Sequence, residues 1–233
     1  MREAEDASGA GAPPALPRLL LIADGFASGR GEGPLAQTPE RVRKLAAEAV
    51  ATGVRWVMLR DHAADDAVFF RAAGRVVERL RDITPEVRIA VNRRPETARR
   101  LRADLHVGAR GSALGVGSMV ANALETAAVV GVSAHVPDEI AQAAASGASY
   151  ALFSPVYRTS SHPEAAPAGL ARLRAACEAA PEAFPVLALG GLTPSRVAEC
   201  RAAGAHGIAV LSAILDAHRP ARAVQGFLDA VSA

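Results

Sequence analysis

The sequence predicts an α/β protein folded as a single (β/α)8 TIM barrel with parallel strands, and three observations predict it. Short, near-continuous apolar runs recur eight times along the 233 residues. Unbroken apolar character over so few residues marks strands covered on both faces, as in a parallel sheet. Alanine-rich helical patterns lie between most of these runs, and that alternation gives a sheet wrapped by helices. Eight units in about 215 residues is the count for a closed barrel at the short end of its usual size. The structural rival, an open doubly wound sheet, would usually use about five or six strands.

Residues 1–17, MREAEDASGAGAPPALP, are acidic, alanine-, glycine- and proline-rich, and have no apolar stretch of the kind a secretory signal needs. They predict a disordered leader, with the barrel over 18–233. The strand runs are LLLIAD (19–24), RWVMLR (55–60), RIAVN (88–92), ADLHVG (103–108), VVGVSAH (129–135), YALFSP (150–155), PVLALGG (185–191) and GIAVLSAI (207–214). The helices between them include TPERVRKLAAEAVATG, DAVFFRAAGRVVERLRD, PDEIAQAAASG, AGLARLRAACEAA and TPSRVAECRAAG. VPDE and TPSR put proline in the first helical turn, where its missing N–H costs nothing. GSALGVGSMVANALETAA predicts a shortened or irregular fourth helix. GFASGRGEGPLAQ, after the first strand, lacks the GxxxxGK[ST] spacing of a nucleotide loop and reads as a mobile loop over the mouth. VYRTSSHPEAAPAG, after the sixth, reads as a lid.

Composition excludes several functions. Charge is +2, with 26 basic and 24 acidic residues interspersed, so the basic stripe of a nucleic-acid binder is missing. No apolar run approaches the ~20 residues that span a bilayer. Cys177 and Cys200 lack metal or CxxC spacing, and reduced thiols in a cytoplasmic protein are expected. Lys44 is the single lysine, in an amphipathic helix where it reads as solvated, which argues against Schiff-base chemistry.

In such a barrel the active site lies at the C-terminal strand ends. His135 ends the fifth strand, and from position alone it reads either as a functional group in the mouth or as a histidine packed under a loop. Gly190 and Gly191 end the seventh strand, and Leu211 and Ser212 the eighth. Loops after strands seven and eight are the common phosphate cradle of these barrels, where backbone N–H groups approach an anion. Arg60 ends strand two, facing either a ligand anion or an internal partner such as Asp24. His62 and His162 fall in mouth loops, with a solvated loop histidine as the alternative for each. His106 reads as packed or pore-lining, and His206 and His218 as outer-surface residues. No histidine pair has zinc spacing.

GVSAH followed by an acidic helix, ASYALFSPVYRTSSH, and PVLALGGLTPSRVAECRAAGAHGIAVLSAI resemble the thiamine-phosphate synthase and TenI superfamily over residues 17–231. MLRDH and VNRR fit its order in strands two and three. The resemblance implies thiamine biosynthesis and two activities. The synthase joins a pyrimidine diphosphate to a thiazole phosphate with magnesium. Its Gln-Leu-Arg-Glu-Lys reads Met58-Leu59-Arg60-Asp61-His62 here, and the aspartate of its Asn-Asp, a magnesium ligand, is Arg93 after Asn92. LHVGARGSALG has Arg110, and no carboxylate until Glu125, where the synthase has a second metal-binding aspartate. The sixth-loop Thr-Ser-Thr-Lys has become Thr159-Ser160-Ser161-His162. Both carboxylates being gone, the resemblance points to the TenI branch, a thiazole tautomerase (an isomerase) aromatising a carboxylated dihydrothiazole phosphate.

That branch implies His135, in Ser133-Ala134-His135, as the general acid/base, with no metal and no cofactor. Gly190, Gly191, Leu211 and Ser212 would hold the phosphate. Arg60, Asn92, Ser133 and Thr159, with His62 and His162, would contact the rest of a small phosphorylated thiazole substrate. Magnesium would enter only with the alternative, a divergent synthase. A non-catalytic binder of thiazole or thiamine phosphate is the alternative of another class. No nucleic-acid or membrane partner is expected, and a homo-oligomer is compatible with the sequence.

Overall fold

A computed structural model describes residues 16–31, 36–108, 115–159 and 163–233. Eight parallel strands close into one barrel in sequence order, β1 (Leu19–Asp24), β2 (Trp56–Arg60), β3 (Arg88–Asn92), β4 (Asp104–Gly108), β5 (Val130–Ala134), β6 (Tyr150–Phe153), β7 (Val186–Leu189) and β8 (Gly207–Val210). The expected runs therefore become strands, trimmed where proline, glycine or a polar residue ends the ladder. The helices are α1 (Pro39–Thr52), α2 (Asp66–Ile83), α3 (Pro95–Leu101), α4 (Val116–Leu124), α5 (Pro137–Ala145), α6 (Gly169–Glu178), α7 (Val197–Ala202), α8 (Ser212–Leu215) and α9 (Pro220–Ser232). The fourth helix is short, as expected, and residues 109–114 before it lie outside the described part.

Local chemistry explains the helix starts. The Thr38 hydroxyl accepts from the Arg41 amide at 3.2 Å, and the Asp65 carboxylate accepts from the Val68 amide at 2.7 Å, each satisfying an orphan donor of the first turn. In α5 the side chain that reaches back is Glu139, whose Oε2 accepts from the His135 amide at 2.6 Å and the Val136 amide at 3.3 Å. TPSR opens as a 3-10 turn over Pro194–Arg196, and α7 follows it. Lys44 pairs with Glu48, at 3.9 Å, on an exposed face.

Two glycines make the barrel close. A Cβ on Gly207 would stand 2.2 Å from the Arg18 carbonyl oxygen, where β8 meets the chain entering β1. A Cβ on Gly131 would fall 2.0 Å from Cζ of Tyr150, whose ring lies across β5. That ring also packs edge-on to Trp56 at 4.7 Å, and both are fully buried in the core. Leu16 is half-buried against the core, and His206 Nε2–H donates to its carbonyl at 2.8 Å, so the chain packs on the barrel from Leu16 onward. Residues 1–15 lie outside the described part. No helix among the described residues is long and apolar enough to cross a membrane.

Candidate functional site

A cavity of about 340 Å³ opens at the C-terminal strand ends, and a smaller one of about 50 Å³ adjoins it. The strands reach the larger one with period two: Met58 and Arg60, His106 and Gly108, Ser133 and His135, Leu152 and Ser154. Successive strand residues point to opposite faces, so this alternation follows from the pleat. The sequence-predicted residues Arg60, His62, Asn92, Ser133, His135, Thr159, Gly190 and Leu211 all line it. Gly191 and Ser212 line the smaller cavity, which shares Thr159, Leu189, Gly190 and Leu211 with the larger. His162 lies outside the described residues, as does Arg110.

The smaller cavity is built from backbone. Gly190 and Gly191 adopt φ of 101° and 64°, and a Cβ on Gly191 would lie 2.3 Å from the Arg158 carbonyl oxygen. Both conformation and space therefore require glycine. The carbonyls of this segment are engaged: Leu189 and Gly190 accept from the Val156 and Tyr157 amides, and Leu211 accepts from those of Ile214 and Leu215. Among the described residues the amides of Gly190, Gly191, Leu211 and Ser212 meet no backbone acceptor. A wall of such donors suits a small oxyanion.

His135 is held at both ends. Its amide donates to Glu139, and its Nδ1 stands 2.7 Å from the Ser154 carbonyl oxygen. A carbonyl only accepts, so Nδ1 carries a proton, and in the neutral ring Nε2 keeps its lone pair. His135 lines the cavity, and its Nε2 has no hydrogen-bond partner among the described residues.

His106, expected as packed or pore-lining, is both. It is buried, lines the cavity, and sits between the Tyr150 hydroxyl (3.2 Å from Nδ1) and the Ser133 hydroxyl (3.0 Å from Nε2). Burial first, then the charges of Arg60 and Arg93, push it down to about 3, so it is a neutral imidazole. Burial also pushes the Tyr150 hydroxyl well above its ordinary value, keeping it protonated. Ser133 is therefore oriented by a buried relay, a role its sequence position does not reveal.

Arg60 has the internal partner that the sequence offered, Asp24. It faces the cavity, and its Nε lies 3.4 Å from Asp24 Oδ1. It also donates to His62 Nε2 at 3.0 Å. Partial burial, then Arg60 and Arg93, hold His62 below the usual histidine value against the opposing charge of Asp24. His62 thus accepts from Arg60 at the rim of the cavity. Asp61 belongs to the framework. Burial pushes its carboxyl up, but bonds from the Ser28 hydroxyl and from the amides of Ser28, Ala27 and Ala64 outweigh it and leave it below the ordinary range. The described part of the glycine-rich first loop is fastened by this carboxylate and by a backbone bridge between Arg30 and Gln37.

Magnesium needs hard oxygen ligands in near-octahedral array. The described residues lining the cavity include no carboxylate, and none of the described His, Cys, Asp and Glu form a group of three able to hold a metal ion. Two guanidiniums, Arg60 and Arg93, stand there instead. The donor set among the described residues does not fit the ion that the synthase resemblance implies.

Comparison with known proteins fixes the family. A family model described as thiamine monophosphate synthase matches residues 34–214. The chain is 33% identical to thiamine-phosphate synthase of Mycobacterium tuberculosis over 224 residues, covering 93% of this chain and 95% of that one. It is 41% identical to thiamine-phosphate synthase of Salinispora arenicola over 138 residues, covering 57% of this chain and spanning 65% of that protein's length. A thiamine phosphate pyrophosphorylase structure from Pyrococcus furiosus shares the fold, with a TM-score of 0.72, 24% identity and coverage of 92% and 95% of the two chains. These names are those of the synthase, and nothing in them singles out the tautomerase branch. The chain belongs to the thiamine monophosphate synthase family.

Proposed function

We propose that this protein is a metal-independent tautomerase of thiamine biosynthesis, moving a proton on a carboxylated dihydrothiazole phosphate. The observation that carries this reading is His135: its Nδ1–H is held by the Ser154 carbonyl, its Nε2 has no partner among the described residues, and the cavity it lines has no carboxylate in its described lining. An imidazole with an unperturbed pKa of about 6.5 can take a proton and return it near neutrality. The amides of Gly190, Gly191, Leu211 and Ser212, with the Ser212 hydroxyl, hold the phosphate in the smaller cavity. Arg60, Asn92, Ser133 and Thr159 orient the ring and its carboxylate. The proton returned by His135 leaves it in its starting tautomer, so no cofactor is consumed.

The test is aromatisation of freshly made thiazole-synthase product, followed by proton NMR with EDTA present, for the wild type and His135→Ala. The expected result is turnover insensitive to EDTA and at least about a hundredfold slower in the variant. No acceleration over the spontaneous reaction sinks the assignment. The names of the relatives favour a second reading, a divergent thiamine-phosphate synthase. Formation of thiamine phosphate from the pyrimidine diphosphate and thiazole phosphate only when magnesium is added would establish that one.

A further inference from the structure

Arg93 is a residue the reaction above does not use. It follows β3 with φ of 59°, a left-handed conformation that a side chain of this size rarely adopts. Such strain persists where the surroundings enforce it, and it gathers at functional sites. Here the Arg93 amide donates to the His106 carbonyl at 2.8 Å, which fixes the turn. The turn lays the guanidinium over Gly108, where Nη2 donates to the Gly108 carbonyl at 3.2 Å. A Cβ on Gly108 would stand 3.0 Å from Nη2 and 3.1 Å from Nε, so glycine leaves the room in which the guanidinium sits.

Arg93 and Arg60 both line the larger cavity. Both act on the same two histidines, His62 and His106, each held below its ordinary value. Arg60 shares Asp24 with Arg30, at 3.4 Å and 3.9 Å. Positive charge is thus concentrated at the β2–β4 side of the mouth, while the backbone cradle lies at the β7–β8 side.

We propose that Arg93, with Arg60, forms a second, metal-free oxyanion subsite across the mouth from the backbone cradle. The ligand is then anionic at two places, with one oxyanion on the amides of β7 and β8 and a carboxylate or phosphoryl group on the guanidinium pair. Planar guanidinium forks suit both groups and carry fixed charge at every working pH. This inference rests on the reading of the cavity as the ligand site.

The test is isothermal titration of the full-length protein in EDTA with inorganic phosphate, pyrophosphate and malonate. It compares the wild type, Arg93→Asn, Arg93→Lys and Ser212→Ala. Asparagine tolerates a left-handed backbone, so Arg93→Asn removes the charge without straining the turn. The expected result is pyrophosphate or malonate binding without magnesium that weakens about tenfold in Arg93→Asn and recovers in part in Arg93→Lys. A response of malonate alone assigns a carboxylate to the subsite, and of pyrophosphate alone a phosphoryl group. Phosphate binding should weaken in Ser212→Ala and stay within about twofold in Arg93→Asn. Pyrophosphate and malonate binding unchanged in Arg93→Asn would overturn the second subsite while leaving the cradle standing. Wild-type protein that binds none of the three probes, or binds pyrophosphate only with magnesium, would overturn it as well, the first by removing the ligand site itself.

Discussion

At the scale of single residues, chemistry here is set by what each side chain is bonded to. His135, His62 and His106 all line one cavity, yet they differ in kind. A carbonyl partner fixes a proton on His135 Nδ1, a guanidinium donor makes His62 an acceptor, and full burial makes His106 neutral. The last has a consequence for stability. Burial holds the folded His106 down to about 3, against the ordinary histidine value of about 6.5 in the unfolded chain, so the unfolded chain binds the extra proton between them. Stability is full above about pH 6.5 and falls as pH drops toward 3, by about 1.4 kcal/mol per pH unit for one histidine. Chemical denaturation of the wild type and of His106→Asn, measured from pH 7.5 to 4.5, should give curves that converge as pH falls, since asparagine does not titrate and His62 remains in both. Parallel curves would show that His106 is protonated in the folded state.

At the scale of elements, loops are fastened to strands by a few polar groups. Asp61 is the clearest case: it is buried and accepts from Ala27, Ser28, Ala63 and Ala64 around both the first and the second loop. Asp61→Ala leaves these donors buried or exposed to new water, and should cost about 3 kcal/mol in urea-unfolding measurements. Proteolysis should then cut first within 25–37, because the fastening of that loop is lost. A variant as stable as the wild type would refute the clasp. This element also explains a limit of sequence reading. MLRDH suggested ligand contacts for Arg60 and His62, and the Asp61 between them gave no hint that two of its partners, Ala27 and Ser28, lie more than 30 positions away.

At the scale of the whole molecule, closure depends on contacts between the two ends of the chain. β1 pairs with β8 from Leu19↔Ile208 to Leu21↔Val210, and Gly207 lets the Arg18 backbone come close beneath that pairing. Gly207→Ala should therefore open the seam and lower stability by about 3 kcal/mol, visible as a lower melting temperature by circular dichroism. A melting temperature unchanged within a degree or so would show that the seam has slack.

The sequence by itself determined the barrel, because eight apolar runs of strand length alternating with helices leave few other ways to bury them. It also placed the backbone cradle, since glycine pairs and the strand-eight exit are local features with local reasons. His135 was legible as a mouth residue, because a strand end fixes where its side chain points. The tautomer of His135, the neutrality of His106 and the seat of Arg93 on Gly108 were decided only by the tertiary structure. Each depends on a partner from another strand, and proton affinity is set by burial and neighbouring charge, which no single segment carries.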